Sequence, residues 1–520
     1  MNIRIVLRGA VAGLAVFALA NASALAQDIS FDDVIISGDP ALDPDPLTTA
    51  TFNVSGNPTL SNDGWIVFNA GANNSKTLSG HSCGIGLWTG NDIIDCGTIN
   101  GGIVKDGGYL AFNRQFAPSF TGLPRGILSN RTGALTFVAV VGGATPDSLA
   151  SFSNMGSLAQ NASGETVFYA STAGGYIHGL FRDSAGSGLT VLAKPGTVVP
   201  VPGSVAEGVL LSVSNTATIN AAGESLVFAT SDLGTGIWVD AGRAVAVSGT
   251  VIPLAELPLD WIAGATFGNI STSATLKNQP DINGNGEVAF SVPIVGGPAG
   301  AFRVLFVERY DGVSDLYSLH EVARIGDAVN RFGRVDDANP LCTADDCLSF
   351  NSQPHTVVLN DAGDVAFVAC QSLTNCGVVK ARWNASTSDY DLDLVVKNGD
   401  TDTAGAALSG NALGRFMLNR FGQLAFFSIS SPDGHGIWAW DESLGLVRVV
   451  APGDVLTFPR ADPGPDLQRT FRAISLAGEN LNCVASGGAD GRPSCFNDHG
   501  QIVFNAHFVE GGEAIVLATR

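Results

Sequence analysis

Apolar and polar positions alternate over short stretches along the chain, and glycine-containing turns separate these stretches. A period of two is typical of β-strands that bury one face. The clearest example is LNDAGDVAF, Leu359 to Phe367, in which a turn is followed by alternating Val and Phe. Asn at the first turn position and Gly at the fourth fit a type I turn, because Asn caps nearby backbone and Gly accepts the left-handed conformation. The pattern therefore predicts a β-hairpin.

Nearly the same phrase returns about every 60 residues, and it occurs eight times. The copies are SNDGWIVF, KDGGYLAF, NASGETVF, NAAGESLVF, NGNGEVAF, NDAGDVAF, NRFGQLAF and NDHGQIVF. The predicted structural turn residues are Asn161, Gly164, Asn220, Gly223, Asn283, Gly286, Asn360, Gly363, Asn419, Gly422, Asn497 and Gly500. A second phrase that contains Gly and a weaker, GIW-like phrase lie between the copies. One module is thus four antiparallel strands, which is the content of a propeller blade.

The two ends of the chain complement each other. The stretch from Phe31 to Asp39 resembles a fourth strand without its own module, and the last module stops after its third strand, Ile515 to Thr519. Pairing these strands would close a ring and remove both exposed edges. We therefore predict an all-β fold, a β-propeller of eight four-stranded blades whose closing blade is shared between the N- and C-termini. The alternatives are seven blades or an open β-repeat array.

The phrase N-x-x-G-x-x-A-F is matched in full at Asn283 to Phe290, Asn360 to Phe367 and Asn419 to Phe426. It resembles the tandem repeat of the choice-of-anchor NxxGxxAF family of exported bacterial proteins, and the repeats cover nearly all of the chain after residue 26. That family has no assigned activity. The resemblance implies an exported β-repeat protein and points to no catalytic residue.

The N-terminal sequence predicts that the protein is exported. Residues 1–26 combine Arg4 and Arg8, an apolar stretch and a small-residue ending, which is typical of a secretory signal peptide. We predict a single propeller domain over residues 27–520, secreted or periplasmic, with no membrane span in the mature chain. A formal charge of -21 repels nucleic acid and anionic membranes, so neither is an expected partner.

The eight cysteines fall into four close pairs, which favours four local disulfides in an exported protein. The predicted disulfide residues are Cys83, Cys96, Cys342, Cys347, Cys370, Cys376, Cys483 and Cys495, paired in that order. A metal site built from the middle four is the alternative, but its Cys spacing is wide for zinc.

The sequence shows no reactive motif, and we predict no catalytic residue, cofactor or metal site. Insertions at 254–280, 330–349 and 458–494 interrupt the repeat and are the candidate binding segments, because function concentrates on loops held by a rigid scaffold. We assign Trp88, Trp238 and Trp438 to packing between blades, and Trp65, Trp261, Trp383 and Trp440 are the candidate ligand platforms. The leading hypothesis is a non-catalytic binding scaffold for an unknown extracellular ligand or protein. An extracellular hydrolase or lyase with its site at one mouth of the channel is the alternative, and a surface-layer component is a third possibility.

Overall fold

The structure of the protein is a computed structural model. It describes residues 29–36, 50–54, 58–68, 70–74, 86–88, 99–114, 125–133, 136–253, 264–270, 279–296, 303–312, 314, 316–330, 333–334, 347–349, 355–372, 375–401, 408–409, 416–430, 434–458, 465–474 and 490–519. The predicted signal peptide, residues 1–26, lies outside these ranges. No helix in the described ranges is both long and apolar enough to cross a membrane.

Short β-strands make up the described chain, together with one 3-10 turn, Asp106–Gly108. The strands of the first half are β1 Ser30–Ile36, β2 Ala50–Val54, β3 Thr59–Leu60, β4 Ile66–Phe68, β5 Ala70–Asn74, β6 Gly86–Trp88, β7 Ile99–Lys105, β8 Tyr109–Arg114, β9 Gly126–Ser129, β10 Thr136–Val140, β11 Ala150–Gln160, β12 Thr166–Gly174, β13 His178–Ser184, β14 Gly188–Ala193, β15 Val198–Pro200, β16 Glu207–Val213, β17 Leu226–Ser231, β18 Gly234–Val239 and β19 Arg243–Val247.

The second half repeats this alternation of short strands and tight turns. Its strands are β20 Thr266–Phe267, β21 Asp281–Ile282, β22 Val288–Val295, β23 Arg303–Asp311, β24 Leu316–Arg324, β25 Ala328–Asn330, β26 Gly333–Arg334, β27 Cys347–Ser349, β28 His355–Leu359, β29 Val365–Ser372, β30 Asn375–Asn384, β31 Asp389–Lys397, β32 Leu408–Ser409, β33 Phe416–Leu418, β34 Leu424–Ser430, β35 Gly434–Asp441, β36 Gly445–Val450, β37 Val455–Phe458, β38 Leu467–Ile474, β39 Ile502–Phe508 and β40 Glu513–Thr519.

Seven sheets of four or five antiparallel strands form the blades of a β-propeller. Six of them use consecutive strands, namely β7 to β10, β11 to β14, β15 to β19, β20 to β24, β28 to β31 and β32 to β36. The seventh has the order β1-β40-β39-β38-β37. The all-β propeller prediction is thus confirmed, and the described residues form seven complete blades, the alternative count. In the described residues, the first predicted module contributes a three-stranded sheet of β3, β4 and β6. Its predicted fourth strand around Gly97 lies outside the described residues.

The closing sheet joins the two ends of the described chain. Strand β1 pairs antiparallel with β40, from Ser30 opposite Thr519 to Ile36 opposite Ala514. The remaining strands of that sheet come from the C-terminal module. The predicted pairing of residues 31–39 with 513–519 is confirmed for Phe31 to Ile36, and it covers the edge that β40 would otherwise expose.

The core lies between neighbouring sheets. The Phe that ends each hairpin phrase is at most 3% exposed in all eight modules, at positions 68, 112, 168, 228, 290, 367, 426 and 504. Each buried Phe contributes roughly 1.5–3 kcal/mol of hydrophobic stabilisation relative to an exposed one. Trp238 and Trp438 are at most 1% exposed and pack in clusters shared by two blades, which confirms their predicted packing role. For Trp88 only the backbone is described, so its packing role stays a prediction.

Candidate functional site

The repeated hairpin turns have one geometry. The fourth-position Gly has φ between 73° and 86° in all eight turns. In seven of them its N–H donates to the carbonyl oxygen of the first residue, as in Gly363 to Asn360 at 3.0 Å. The Asn Oδ1 accepts backbone N–H groups within the turn, for example from Ala362 and Asp364 at 3.1 and 2.9 Å. The predicted turn conformation and the capping role of Asn are both present.

The same Asn side chains also connect successive blades, which the sequence did not indicate. The Nδ2 of each Asn donates to the first-position carbonyl oxygen of the next module, at 2.9–3.2 Å. The bonds run from 161 to 220, 220 to 283, 283 to 360, 360 to 419, 419 to 497 and 497 to 61. The six Asn residues are at most 3% exposed. These bonds therefore link seven of the eight turns in one continuous series around the channel.

The remaining turn, Lys105 to Gly108, completes the ring by other contacts. Asp106 accepts hydrogen bonds from the backbone and the side chain of Asn62, at 2.7 and 3.1 Å. On its other side, the ring of Tyr109 packs against Gly164. Lys105 stands where six other modules have Asn, so its side chain is available for a different role.

A five-residue segment, 490–494, crosses the channel, and we call it the plug. Its Asp490 and Gly491 carbonyl oxygens accept from Ile219 and Gln160, at 2.8 and 2.9 Å, and its Ser494 carbonyl oxygen accepts from Leu60 at 2.7 Å. These three partners each directly precede the first turn residue of a different module. Only a segment near the axis of the ring can reach equivalent positions in several blades. The plug is the end of the predicted insertion at 458–494.

The plug depends on a close backbone approach at Gly491. This residue has φ +77°, and a Cβ atom there would lie 2.4 Å from the carbonyl oxygen of Ile219. No other residue fits without movement of the backbone. Directly after the plug, Cys495 is buried and disulfide-bonded, which anchors this segment covalently.

A buried charged cluster holds the plug against the blades. The Arg492 guanidinium donates to Asp281 at 3.1 Å, to Gln279 at 2.9 Å and to Asp490. From the module that lacks the Asn, Lys105 Nζ donates to the Arg492 carbonyl oxygen at 3.1 Å. Asp281 and Asp490 are at most 1% exposed. Every member of this cluster thus has a partner, as buried charges require.

The two buried carboxyl groups have opposite protonation tendencies. Burial, reinforced by the charge of Asp490, raises the pKa of Asp281 well above its usual value. Burial also raises the pKa of Asp490, but the charge of Arg492 and a hydrogen bond from Asp281 outweigh this effect and lower it. Burial lowers the pKa of Lys105, against the opposing charge of Asp490. The two shifts favour a shared proton on Asp281 rather than on Asp490, beside the basic groups of Arg492 and Lys105.

Above the plug is a cavity of about 200 Å3. Its floor includes Gly491 and Ser494, and its rim is formed by side chains at the second position of the turns. These rim residues are Asn62, Asp106, Ala162, Ala221, Asp361, Arg420 and Asp498. One side of the rim is small and apolar, and the other is charged.

Most rim side chains also link neighbouring turns. The Asp498 carboxylate accepts from the Arg420 N–H at 3.1 Å, and Asn62 Oδ1 accepts from the Asp498 N–H at 2.8 Å. Asp361 likewise accepts from the Gly284 N–H at 2.7 Å. Burial raises the pKa of Asp498, and the charges of Asp106 and Asp361 act in the same direction, so the three carboxylates share one electrostatic environment. No group of three or more His, Cys, Asp or Glu residues suited to a metal ion occurs where the structure describes the chain.

The predicted disulfides are shown at one pair. Cys370 and Cys376 are bonded, and they face each other across strands β29 and β30. This bond excludes the alternative metal site, which needed both thiolates. Cys83, Cys96, Cys342 and Cys483 lie outside the described residues, and for Cys347 only the backbone is described. Their pairings stay predictions.

The candidate tryptophan platforms are half-buried in packing contacts. The Trp65 ring covers Gly108 of the next turn, Trp383 contacts His320 and Tyr390 at centroid distances of 4.6 and 5.3 Å, and Trp440 packs beside a hydrophobic cluster. None of the three lines the cavity. Trp261 and residues 335–346 of the insertion at 330–349 lie outside the described ranges.

Fold and site together define a β-propeller with a plugged channel and a polar cavity at one mouth. The chain belongs to the "Family of unknown function (DUF7453)", whose model matches twice in succession, over residues 94–307 and 314–519. No curated protein matches it. The resemblance to the choice-of-anchor NxxGxxAF family stays a prediction.

Solved structures give only distant similarities. A puromycin hydrolase aligns at 13% identity over 68% of this chain and 50% of its own, with a TM-score of 0.31. Porphyromonas gingivalis dipeptidyl peptidase 4 aligns at 9% identity over 80% and 57%, with a TM-score of 0.33. A Mycobacterium tuberculosis puromycin-hydrolyzing peptidase aligns at 12% identity over 71% and 49%, with a TM-score of 0.28. The alignments cover about half of each of those chains, and similarities of this extent support no conclusion about activity.

Proposed function

We propose that this protein is an exported, non-catalytic propeller that binds a small polar ligand in the cavity above the plug. The observation that carries the proposal is the rim of the cavity. The turns repeat their first and fourth residues for structural reasons, whereas the second position varies from Ala162 and Ala221 to Asp361, Arg420 and Asp498. A rigid ring with a variable, asymmetric rim is the usual arrangement for binding. The predicted signal peptide supports export.

The bonding of the carboxylates favours binding over catalysis. A general acid or base has to reach the reacting atom with its carboxyl group. Asp106 and Asp498 use both carboxylate oxygens within the ring, on Asn62 and Arg420 respectively. Asp281 and Asp490 lie beneath the plug surface in a balanced cluster. These groups are explained by the stability of the ring and of the plug.

A hydrolase or lyase is the second candidate, and one observation favours it. Asp106, Asp361 and Asp498 come from three different modules and line one cavity, and the pKa of Asp498 is raised first by burial and then by the other two charges. A carboxyl group with a raised pKa beside other carboxylates is a feature of general acid catalysis.

Ligand-induced thermal stabilisation tests the proposal. Wild-type protein is screened against neutral sugars, amino acids and small organic cations and anions, and each hit is titrated calorimetrically. The Ala221→Trp variant should fill the cavity and abolish binding, since Ala221 lies on its rim. The matched control is Ala222→Trp, which changes the next residue of the same exposed turn but does not line the cavity.

Loss of binding in Ala221→Trp with retention in Ala222→Trp supports the proposal. Binding that survives in both variants, or no binding by any compound class, overturns it. Turnover of a polysaccharide or ester by the wild type, abolished in Asp498→Asn without a change in melting temperature, favours the second candidate instead.

A further inference from the structure

Two oppositely charged residues stand at equivalent positions in adjacent turns. Asp361 and Arg420 both occupy the second turn position, and their turns are linked by the hydrogen bond from Asn360 Nδ2 to the Asn419 carbonyl oxygen at 2.9 Å. Both line the cavity. They are not an ion pair in the structure, because Arg420 pairs through Nε with Asp498 at 3.2 Å and Asp361 accepts from Gly284.

Each of the two retains unused bonding capacity. The side chain of Arg420 is 58% exposed, and its two terminal nitrogens have no hydrogen-bond partner among the described residues. Within the same set of residues, the second carboxylate oxygen of Asp361 also has none. Elsewhere in the ring a second-position side chain accepts the N–H of the preceding turn, as Asp498 does from Arg420. A guanidinium has no acceptor atom, so the side chain of Arg420 cannot accept a hydrogen bond from the backbone N–H of Asp361. This series of hydrogen bonds between neighbouring turns is therefore interrupted between Asp361 and Arg420.

The side of the cavity away from Asp361 and Arg420 is lined by small side chains. Ala162 and Ala221 line that side, and their methyl groups offer a ligand no polar contact. The volume of about 200 Å3 corresponds to roughly six or seven water molecules at about 30 Å3 each. This suits a small molecule with its polar groups directed to one side.

We infer that the cavity binds a small zwitterion, namely a free amino acid, with its carboxylate on Arg420 and its ammonium on Asp361. The inference rests on the proposed binding function and narrows it. The free guanidinium nitrogens can form a forked pair with a carboxylate, and the free oxygen of Asp361 can accept from an ammonium group. A ligand with only one charge would leave the other side chain partly desolvated and unpaired, which costs affinity.

Calorimetric titration tests this inference. A panel of free amino acids is titrated first, and the tightest binder is then compared with its N-acetyl derivative, which lacks the ammonium, and its amide, which lacks the carboxylate. We expect each derivative to bind roughly tenfold or more weakly than the parent. Asp361→Asn should remove the preference for the free amine, and Arg420→Gln the preference for the free carboxylate. Arg382→Gln is the matched control, because Arg382 carries a partly exposed guanidinium away from the cavity.

The outcomes separate this inference from the proposed function. Equal binding of the N-acetyl derivative or of the amide overturns the zwitterion assignment. The zwitterion assignment is also overturned if a neutral sugar binds the wild type, fails to bind Ala221→Trp, and binds Asp361→Asn and Arg420→Gln as tightly as the wild type. In that case the proposed function would still stand. If no compound class binds the cavity, both are overturned. Equal melting temperatures of the variants and the wild type exclude unfolding as the cause of any loss.

Discussion

The Arg492 guanidinium lies 3.1 Å from the Asp281 carboxylate, although the two residues are 211 positions apart in the sequence. This contact fixes the plug to a blade in the middle of the chain, and the adjacent Asp490 shares the same guanidinium. One side chain therefore balances two buried carboxyl groups. This arrangement helps to hold the plug across the channel.

We expect Arg492→Leu to destabilise the protein by about 3–5 kcal/mol, because the substitution leaves buried carboxyl groups without their cation. The free energy of unfolding in urea measures the effect. The control is Arg382→Leu, whose ion pair with Glu442 is 40% and 64% exposed and should contribute less than about 1 kcal/mol. Similar losses of unfolding free energy in the two variants would show that the buried plug cluster stabilises the protein no more than an exposed ion pair does.

Glu308 should make stability dependent on pH. Burial raises its pKa to about 7, although Arg243 opposes the shift. Since the folded pKa exceeds the unfolded one, near 4.5, the folded state binds more protons between these values. The stabilising contribution is complete below about pH 4.5 and is lost as the pH rises through 7, by a few kcal/mol at most.

Melting temperatures of the wild type and of Glu308→Gln between pH 5 and 8 check this sign. The wild type should lose more stability than Glu308→Gln over that range. Glu442→Gln, at an exposed side chain, is the control and should follow the wild type. Parallel curves for the wild type and Glu308→Gln would show that Glu308 is already ionised in the folded protein at pH 5.

Removing one Asn side chain from the ring of turns should lower the free energy of unfolding strongly. Asn283 is fully buried, accepts from Asn285 and Glu287, and donates to Asn360 of the next blade and to Glu287. Asn283→Ala should therefore cost about 2–4 kcal/mol, since several buried backbone groups lose their partner. Denaturant unfolding of Asn154→Ala, at an exposed strand position, should change by less than about 0.5 kcal/mol. A cost below about 1 kcal/mol for Asn283→Ala would refute the connecting role.

Turn glycines should respond differently to two substitutions. Gly363 has φ +80°, so Gly363→Val should cost more than about 1–2 kcal/mol, because a β-branched residue resists this conformation. Gly363→Asn should be milder, although its Cβ would have to displace the flexible end of Arg309, 2.6 Å away. Gly64→Asn should be milder still, since nothing lies within 4 Å of the Cβ position there. Equal melting temperatures for the Val and Asn variants at 363 would contradict the turn geometry.

The fold was predictable because its information is local and repeated. Each hairpin phrase specifies a turn through Gly and Asn, and a buried Phe such as Phe367 specifies the face that packs. The closing strand was predictable because Phe31 to Ile36 and the C-terminal module complete each other. The number of complete blades was not, because the hairpin phrase recurs eight times whether or not all four strands of a module pair in one sheet.

The site was less predictable because its residues act over long sequence distances. Lys105, Asp281 and Arg492 belong to three separate segments, and no spacing along the chain relates them. A signal did exist at Lys105, which replaces the Asn of the repeat, and the insertion that contains the plug was identified as a candidate binding segment. The rim residues were hidden because the second turn position varies freely in any hairpin of this type.

The pairing of Ser30 with Thr519 has a consequence for biogenesis. A ring of this kind cannot close until the last strand has been synthesised, so an emerging chain must wait with two unsatisfied β-edges. We expect chaperone dependence and inclusion-body formation to be most severe for products that stop before residue 513. A recombinant circular permutant that joins the two ends and opens at a surface turn would make the closing pair local and shorten that vulnerable interval.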